Sequence, residues 1–495
     1  MQHHTVKKVV IAGGGTAGWV AAAALSKRLK GLIDVVLIES EEIGTVGVGE
    51  STVPPVQLFH NLLGINEQEF MQATDATFKL AISFENWGQQ GDHYFHPFGV
   101  TGKGSFLSDF QHYYLHGLSQ GIAAPFGDYC YELQAAKQHK FAKTEQSTIN
   151  YAYHLDAGRY ARFLRRFSED LGAVRIEGKI AQVQQHVNGD IRALVLESGQ
   201  EITGDLFIDC TGFRALLIEQ TLKTGYERWD HWLPCNKAVV VQTEPGPTVP
   251  PYTRAIAHDS GWQWKIPLQH RVGNGLVYAS DYLSDDKARQ RLLDGLEAPA
   301  IMEPRVLSYQ TGRRKKLWHK NCVAIGLSSG FIEPLESTSI FLFMSGIIRL
   351  LRLFPFNGVT PALTDEYNQQ SITEVEKIRD FIILHYHQTE RNDSPFWDYC
   401  RTMTIPDSLA HRIALFRESA HAFQTGDEMF RLESWSHVML GQRLQPQSYH
   451  QLVAGLGSGE LSRHLQQIRE TINSAVHRLP SHRDFLRQYC PSNLT

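Results

Sequence analysis

The chain has 495 residues, of which 42% are hydrophobic, and its 48 Lys and Arg residues nearly balance its 52 Asp and Glu residues, giving a formal charge of −4. This length and composition suit one large two-part body, or two to three domains, with a hydrophobic core. The balanced charge removes any bulk electrostatic argument for a nucleic-acid partner or an anionic membrane. The most apolar stretch, 340–354, contains Arg349 and Arg352 and is too short and too charged to span a bilayer.

The six cysteines are scattered along the chain and form no C-x-x-C pair. This spacing is typical of neither a disulfide framework nor a zinc site, and it fits a reducing compartment. The first residues, Met1-Gln2-His3-His4, contain no apolar signal segment. We therefore expect a cytoplasmic protein without a bound metal.

The N-terminal residues 8–12 form an apolar run that leads into the glycine-rich run 13–18 and a helical pattern over 19–29. A buried strand that turns sharply into a helix uses Gly13 for the turn, Gly15 for the close approach of a pyrophosphate and Gly18 for packing of helix on strand. The helix N-terminus then offers N–H groups and the positive end of its dipole to the pyrophosphate. The spacing predicts a dinucleotide site.

A second apolar run, 34–38, ends in Glu39, about twenty residues past the glycines, where a carboxylate accepts hydrogen bonds from a ribose 2′-OH. An acid at this position disfavours a 2′-phosphate. The order of strand, helix and acid is much more specific than the glycine pattern alone.

The remaining pattern alternates strands and helices up to residue 355 and is helical beyond it. A long polar and aromatic insertion with little periodicity, 86–142, is typical of a lid or pocket wall. A helix is predicted over 161–171, and strands are predicted at 179–183, 191–196, 238–243, 262–267, 276–279 and 322–325. The run 206–212 is predicted to be a buried strand that ends in a polar, glycine-bearing loop. The sequence thus predicts an α/β fold: a body over 1–355 with a Rossmann-like nucleotide-binding domain, a second β-sheet and the inserted pocket segment, and a helical C-terminal region over 356–495 that completes a substrate pocket.

The basic run 313–316 is short, and we interpret it as a solvated turn that precedes the strand at 322.

Trp262 and Trp264 alternate in the run 261–267, which places both indoles on one face of the predicted strand. Such a pair is most often part of an aromatic core, and on its own the pattern leaves a functional role open.

The segment 330–340 combines Glu336 with several hydroxyl residues at a predicted helix start. Free N–H groups there can bind an anion, although Ser and Thr are also ordinary helix caps.

Lys79 lies among apolar neighbours in the run 76–81. Partial desolvation would lower the pKa of its amine and make it more useful as an acid or nucleophile. The alternative is a lysine that extends its charged end to water.

One competing pattern points to another enzyme class. Residues 326–330 fit G-x-S-x-G, the nucleophile elbow of α/β-hydrolases, with Ser328 as nucleophile and a downstream histidine such as His385 as partner. The elbow requires a helix directly after the serine, and here Phe331-Ile332-Glu333-Pro334 intervenes. A serine hydrolase would also leave the dinucleotide pattern unexplained.

Several segments occur along the chain in an order typical of one enzyme family. They are the glycine-rich run followed by Trp19, the segments 46–52 and 78–79, the run 94–99, the Trp-x-Trp-x-Ile-Pro box at 262–267, and residues 322–338. Together they resemble the flavin-dependent tryptophan halogenase family. The Trp-x-Trp box and the run 334–338 are the most specific parts of the resemblance.

The resemblance implies an FAD-binding fold of the flavin monooxygenase type. A separate NAD(P)H-dependent reductase supplies the reduced flavin, and O2 with chloride or bromide then gives hypohalous acid, which passes through an internal tunnel to the substrate. Together with the glycine-rich run and Glu39, the resemblance predicts a cofactor site that comprises Gly13, Gly15, Thr16, Ala17, Gly18, Glu39, Val48, Gly49, Val183, Asp209, Gly212, Leu327 and Ile340.

The resemblance also implies the residues that carry the chemistry. Lys79 corresponds to the lysine that holds hypohalous acid and presents electrophilic halogen, and Glu336 to the glutamate that tunes this lysine or removes the ring proton. The backbone N–H groups of Thr338 and Ser339 correspond to the halide site. A wall that keeps substrate from the flavin is assigned to Trp262, Trp264 and Pro267.

Two departures from the family bear on specificity. Ser339 stands where the family usually has glycine, so the backbone there must avoid positive φ or tolerate strain. The C-terminal segment 430–438 has no tyrosine pair to anchor an amino acid, whereas His96 and Phe98 can still stack on an indole. We expect an indole or similar small electron-rich arene as substrate and a monomer or homodimer, with a flavin monooxygenase of the same fold as the alternative function.

Overall fold

The computed structural model describes residues 5–43, 50–143, 149–426 and 428–491. Its internal contacts divide the chain into two units. The first comprises Met1–Asp75, Leu155–His231 and Ser308–Glu376, and the second comprises Ala76–His154, Trp232–Leu307 and Lys377–Thr495. The sequence-based boundary at residue 355 stays a prediction.

The first unit contains a six-stranded sheet in which the N-terminal strand, Lys8–Ala12, lies between Leu206–Asp209 and Asp34–Glu39. In spatial order its strands are Trp318–His319, Cys322–Ala324, Leu206–Asp209, Lys8–Ala12, Asp34–Glu39 and Val174–Glu177. All are parallel to their neighbours except Trp318–His319, which pairs antiparallel. The central strands are apolar on both faces because helices cover a parallel sheet, and Val9 to Ala12 are completely buried.

Helices and small sheets complete the first unit. The helix Thr16–Arg28 packs against the helices Ala157–Asp170 and Ser339–Arg352. The other helices are Pro55–Leu63, Glu67–Thr74 and the part of Pro361–His387 up to Glu376, with short helical turns at Gly212–Arg214, Leu216–Thr221, Gly326–Ser328 and Pro334–Glu336. The remaining strands are Glu50–Ser51, Ile180–Gln185, Ile191–Leu196, Glu201–Thr203, Tyr226–Arg228, Gly312–Arg314 and Gly330–Phe331.

The second unit is built on a seven-stranded mixed sheet. In spatial order its strands are Arg305–Ser308, which reaches the unit boundary, Lys237–Thr243, Val272–Tyr278, Gly261–Pro267, Tyr252–Ala257, Ala81–Glu85 and His93–Pro97. The strand Thr77–Lys79 pairs antiparallel with Ala152–Leu155, with Thr77 opposite His154 and Lys79 opposite Ala152.

The helices of the second unit come mostly from the C-terminal part of the chain. Among them, Leu432–Gly441 packs on the strand His93–Pro97. The helices are Phe110–Ser119, Tyr131–Lys137, Asp285–Asp294, Pro395–Thr402, Asp407–Ser419, Leu432–Gly441, Ser458–His477 and His482–Tyr489, with short turns at Phe126–Tyr129 and Gln451–Gly455. None of the helices in the described ranges is long and apolar enough to cross a membrane.

The predicted fold class is confirmed: a mixed α/β structure contains a largely parallel sheet that begins at the N-terminal strand, a second sheet and a helical C-terminal region. Two local predictions are wrong. The insertion 86–142 is more regular than its pattern indicates, since it contains the strand His93–Pro97 and two helices. The basic run is not wholly solvated, since Arg313 and Arg314 lie buried in the strand Gly312–Arg314.

Candidate active site

The glycine-rich loop of the first unit joins the strand Lys8–Ala12 to the helix Thr16–Arg28. Gly13 has φ +106°, and a Cβ there would lie 2.2 Å from the carbonyl oxygen of Cys210. A Cβ at Gly18 would lie 1.9 Å from the carbonyl oxygen of Gly13, whereas one at Gly15 would meet no described atom within 4 Å. The chain itself therefore requires glycine at 13 and 18, and the open space at Gly15 is available to a ligand.

Glu39 lies beside this loop, at the end of the strand Asp34–Glu39. Its carboxylate accepts hydrogen bonds from Arg175 Nε at 2.5 Å and from Trp19 Nε1 at 3.3 Å. A Cβ at Gly14 would collide with this carboxylate. The acid is held next to the mouth of the loop, as a ribose-binding group must be.

These observations fit a dinucleotide such as FAD. The first helical turn, Thr16-Ala17-Gly18-Trp19, carries no acidic residue that would repel a pyrophosphate. Its N–H groups and dipole face the open side at Gly15, and the fixed carboxylate of Glu39 can accept from a ribose.

Asp209 ends the neighbouring strand and is completely buried. One carboxylate oxygen accepts from the Thr211 N–H and hydroxyl, and the other accepts from the N–H groups of Leu217 and Ile218. Burial raises the pKa of Asp209 while these hydrogen bonds oppose the rise. The carboxylate thus shapes the loop that carries Gly212, which has φ +69° and open space at its Cβ position. Its role toward the cofactor stays a prediction.

The loop 326–330 contains Leu327 and contacts the glycine-rich helix. A Cβ at Gly326, which has φ +83°, would lie 2.7 Å from Ala17 Cβ. Ser328 is completely buried, and its hydroxyl donates to the carbonyl oxygens of Asp209 and Ile325. Because a strand residue rather than a helix follows at Gly330, this geometry is not a nucleophile elbow.

Arg313 and Arg314, from the basic run, anchor this loop. Arg314 Nε donates to the Ser328 carbonyl oxygen at 3.0 Å, and its Nη1 pairs with Glu219 Oε2 at 3.0 Å. Arg313 pairs with Glu227 and Glu376. The partners lie far away in the sequence, which explains why the run alone indicated a solvated turn.

The segment 334–340 forms a short helical turn and then a helix. Glu336 and Thr338 are completely buried, and Ser337 takes the left-handed conformation with φ +59°. Ser339 begins the helix Ser339–Arg352, so the chain reverses at Ser337 and the backbone at Ser339 avoids positive φ. N–H groups at the start of a helix have no partner within the helix and can bind an anion, and the halide role of Thr338 and Ser339 stays a prediction.

Four further predicted cofactor residues remain, of which two lie in described parts of the first unit. Ile340 is completely buried in the first turn of the helix Ser339–Arg352. Val183 packs, partly buried, against the core of Val10 and Phe207. Val48 and Gly49 lie outside the described residues.

Lys79, in the second unit, is completely buried at the end of the strand Thr77–Lys79. Its Nζ lies 5.0 Å from the centre of the Phe98 ring, and the Phe98 N–H donates to the carbonyl oxygen of Leu80 at 2.9 Å. An ammonium over an aromatic face is attracted by the ring quadrupole. The structure thus brings together two residues that the sequence assigns to the lysine and the substrate.

His96 and Phe98 lie at the edge of an aromatic cluster. Their ring centres are 6.3 Å apart at an interplanar angle of 83°, and His96 is 5.5 Å from Phe381. Phe381 in turn stacks on Phe430 at 3.8 Å and meets Trp435 edge-on at 4.8 Å. The C-terminal residues therefore contribute apolar rings to this cluster.

The Trp-x-Trp strand lies at the centre of the second sheet. Trp262 and Trp264 are both buried with ring centres 5.9 Å apart, which confirms that they share a face. A Cβ on Gly275, opposite Trp264 in the ladder, would lie 2.1 Å from the indole. Pro267 closes the strand and accepts a hydrogen bond at its carbonyl oxygen from Thr77 at 2.7 Å.

The sequence pattern assigns no role to Glu50, which lies within the segment 46–52 that contributes to the family resemblance. Burial, with a contribution from Asp156, raises the pKa of Glu50 to about 7. A carboxylate that titrates near neutrality is a candidate functional group. The signal in the sequence was an acid directly after a glycine-rich segment.

Comparisons with known proteins identify the family of the chain. The family model for tryptophan halogenase matches residues 8–458. The chain belongs to this family. It is 33% identical to tryptophan 7-halogenase RebH of Lentzea aerocolonigenes, over 98% of both chains.

Solved structures give the same result. Xcc4156, a flavin-dependent halogenase from Xanthomonas campestris, superimposes with a TM-score of 0.98 at 52% identity and covers 99% of this chain and 100% of its own. BrvH, a flavin-dependent halogenase from Brevundimonas sp. BAL3, gives 0.94 at 41% identity, covering 98% and 99%. The tryptophan halogenase family consists of flavin-dependent enzymes that use FAD and chloride or bromide, need a flavin reductase and act on aromatic substrates. The chain is accordingly an FAD-dependent halogenase, and the hydroxylase alternative is not supported.

Proposed function

We propose that this halogenase acts on an indole or a similar small electron-rich arene, with Lys79 presenting the halogen to the ring. The observation that carries the proposal is the buried ammonium 5.0 Å from the Phe98 ring, in a cluster that includes His96. Bound reduced FAD would supply two of the electrons that reduce dioxygen and the halide would supply the other two, so that hypohalous acid, water and oxidised FAD result. A buried ammonium donates a hydrogen bond to hypohalous acid. This hydrogen bond strengthens as negative charge develops on the oxygen of the acid.

The other assigned groups have complementary tasks. The N–H groups of Thr338 and Ser339, at the positive end of a helix dipole, hold halide. The wall of Trp262, Trp264 and Pro267 keeps the substrate away from the flavin. Glu336 tunes Lys79 or accepts the proton that leaves the ring.

One assay tests the lysine. Purified protein receives FAD, a flavin reductase, NADH, bromide and indole, and the product is measured by mass spectrometry through its bromine isotope doublet. Lys79→Ala is expected to lower product formation by roughly 100-fold or more. Lys137→Ala is the matched control, since Lys137 also lies over a ring, that of Phe95 at 5.9 Å, but has a side chain that is 40% exposed.

Undiminished product in Lys79→Ala removes this lysine from the mechanism. An oxygenated product that forms without halide overturns the proposed reaction as a whole.

Glu336 is tested by a change that keeps its shape. Glu336→Gln is expected to lower kcat by about 10- to 100-fold with little change in KM, because the amide cannot accept the ring proton. Glu333→Gln, which alters another completely buried carboxylate of the same segment, serves as the control. Equal kcat values for both variants would contradict the role of Glu336.

The substrate class follows from the aromatic cluster. Phe430 stacks on Phe381, and Trp435 packs against the same ring, so these residues offer apolar ring surface to a substrate. We expect kcat/KM for indole to exceed that for L-tryptophan by at least about tenfold, since a charged head group would lose its water against apolar rings. A preference for L-tryptophan would contradict this expectation.

We also propose that a separate reductase that uses NAD(P)H serves this enzyme, that the enzyme is a monomer or homodimer, and that it is cytoplasmic.

A further inference from the structure

Four buried polar groups form a hydrogen-bonded series at the strand that carries Lys79. Thr77 Oγ1 lies 2.7 Å from the Pro267 carbonyl oxygen and 3.0 Å from His154 Nδ1. His154 Nε2 lies 2.9 Å from Thr253 Oγ1. Thr77 and His154 are completely buried and Thr253 is 4% exposed. The enzyme therefore maintains four hydrogen-bonding groups in a dry region two residues away from the lysine.

The chemistry of the groups fixes the direction of every hydrogen bond. The Pro267 carbonyl oxygen can only accept, so Thr77 donates its single hydroxyl proton to it. The Thr77 oxygen must then accept from His154 Nδ1–H. A neutral histidine with its proton on Nδ1 accepts at Nε2, and Thr253 donates to that atom.

His154 is held in this neutral form. Burial first, and then coulombic contributions from Lys79 and His482, bring its pKa well below the usual value. The ring beside the ammonium is therefore uncharged, and its tautomer is the one that the Thr77 and Thr253 contacts require.

The strand needs this support because it is short. Thr77–Lys79 has only three residues, and successive side chains alternate between faces, so Thr77 and Lys79 share one face. On that face the ladder places His154 opposite Thr77 and the small Ala152 opposite Lys79. Fixing Thr77 therefore fixes the backbone from which the lysine side chain extends.

We propose that Thr77 and His154 are positioning residues, which lock the strand of Lys79 to the Pro267 end of the Trp-x-Trp strand. This inference rests on the role proposed for Lys79. A lysine that presents halogen to a ring carbon must be placed accurately, since a displacement of about 1 Å can lower the rate by roughly 100-fold. The contact with Pro267 sets that placement relative to the wall that is predicted to face the flavin.

The test separates capture of hypohalous acid from its formation. Thr77→Val keeps the shape of the side chain and removes the hydroxyl, whereas Thr77→Ser keeps the hydroxyl. For each variant we would measure FAD affinity, oxidation of reduced flavin, brominated indole, and free hypobromous acid trapped by monochlorodimedone. Thr77→Val is expected to lose roughly 10- to 100-fold in product at unchanged FAD affinity, with more hypobromous acid released per flavin oxidised. Thr77→Ser is expected to stay within about threefold of wild type.

A second pair of variants covers the case in which Thr77→Val does not fold. His154→Gln can donate to Thr77 and accept from Thr253, so it should keep most of the product, whereas His154→Leu should release hypobromous acid as Thr77→Val does.

Full product from Thr77→Val or His154→Leu, without extra release of hypobromous acid, overturns the inference. The proposed function fails in a different way, when wild type gives no brominated product or when Lys79→Ala equals wild type.

Discussion

The glycine-rich loop of the first unit and the lysine strand of the second unit reach their functional geometry by different means. The glycines of the loop lie within one continuous stretch, and their requirements are steric: a Cβ at Gly18 would collide with the Gly13 carbonyl oxygen, and a Cβ at Gly13 with that of Cys210, just past the end of the neighbouring strand. The lysine strand depends on side chains from distant segments, as in the contact between Thr77 and Pro267, which are 190 residues apart.

The two arrangements should also fail differently. Where a loop leaves no room for a Cβ, adding one methyl group should cause a large loss of ligand affinity, because steric repulsion is strong and short-ranged. A network of side-chain hydrogen bonds should weaken gradually, since the loss of each hydrogen bond costs only about 1 kcal/mol. Four experiments can break or sharpen this comparison.

The largest effect is expected at Gly15. Gly15→Ala should weaken FAD binding by roughly 100-fold, about 2.7 kcal/mol, because its Cβ would occupy the space left for the pyrophosphate. The Tm of the protein without cofactor should be unchanged, since a Cβ there meets no described atom within 4 Å. Binding is measured by quenching of flavin fluorescence and Tm by scanning fluorimetry.

Gly18→Ala provides the contrast. Its Cβ would lie 1.9 Å from the Gly13 carbonyl oxygen, so this variant should lose both Tm and FAD affinity. FAD binding by Gly15→Ala at wild-type strength would show that the open space is not the pyrophosphate position.

A second experiment compares how the stability of each unit depends on pH. Burial lowers the pKa of His437 to about 3 and that of His482 to about 4, and both residues are in the second unit. Above pH 6.5 both histidines are neutral in the folded and the unfolded chain, so their stabilising contribution is fully present. As pH falls from 6.5 toward 4 the unfolded chain takes up protons that the folded chain does not, so each site removes about 1.4 kcal/mol per pH unit.

The first unit should resist this change better. His60 has a pKa lowered to about 3, but Glu50, with a pKa raised to about 7, takes up a proton in the folded state and offsets that loss. Hydrogen exchange at pH 7 and pH 5 should therefore show the larger loss of protection in the second unit, for example in the helix Leu432–Gly441. His437→Gln should flatten the pH dependence there, and equal losses in both units would contradict the argument.

The parts of the fold that the sequence predicts well are those with local causes. The strands Lys8–Ala12 and Ile191–Leu196 have the predicted limits because apolar runs and turn residues bound them on both sides. Arg313 and Arg314 were placed wrongly because their partners Glu219 and Glu376 are not adjacent in sequence. A charge run carries no information about distant carboxylates.

The same division applies to the candidate site. Glycine spacing and Glu39 indicate the dinucleotide site by stereochemistry alone, whereas Lys79, His96 and Phe98 were assigned through a family resemblance. No local pattern indicates that Thr77 would contact Pro267. Such contacts depend on the register of paired strands, which a single sequence does not specify.

A third experiment concerns the fit between Gly275 and Trp264. Gly275→Ala should destabilise the protein by about 1 kcal/mol, because a methyl group at that position would push the indole out of its place. In a Trp264→Leu background the same change should have a smaller effect, since the clash is gone. The coupling energy from a double-mutant cycle of chemical unfolding measures the contact. Additive effects of the two substitutions would show that the indole of Trp264 is not the reason that glycine is required at position 275.

The smallest effect is expected at Ser339, where the backbone is already helical. Ser339→Gly removes a hydroxyl and a carbon atom but leaves the N–H groups that are proposed to hold the halide, so total turnover should change little. The added space favours the larger anion, and we expect the ratio of brominated to chlorinated product to rise by roughly threefold in a competition assay with both halides. Ser337→Gly is the matched control: it relieves the left-handed φ of +59° and should raise Tm without changing the ratio. An unchanged ratio in Ser339→Gly would mean that backbone N–H groups alone set halide preference, and the side chain at this helix start would then have no part in it.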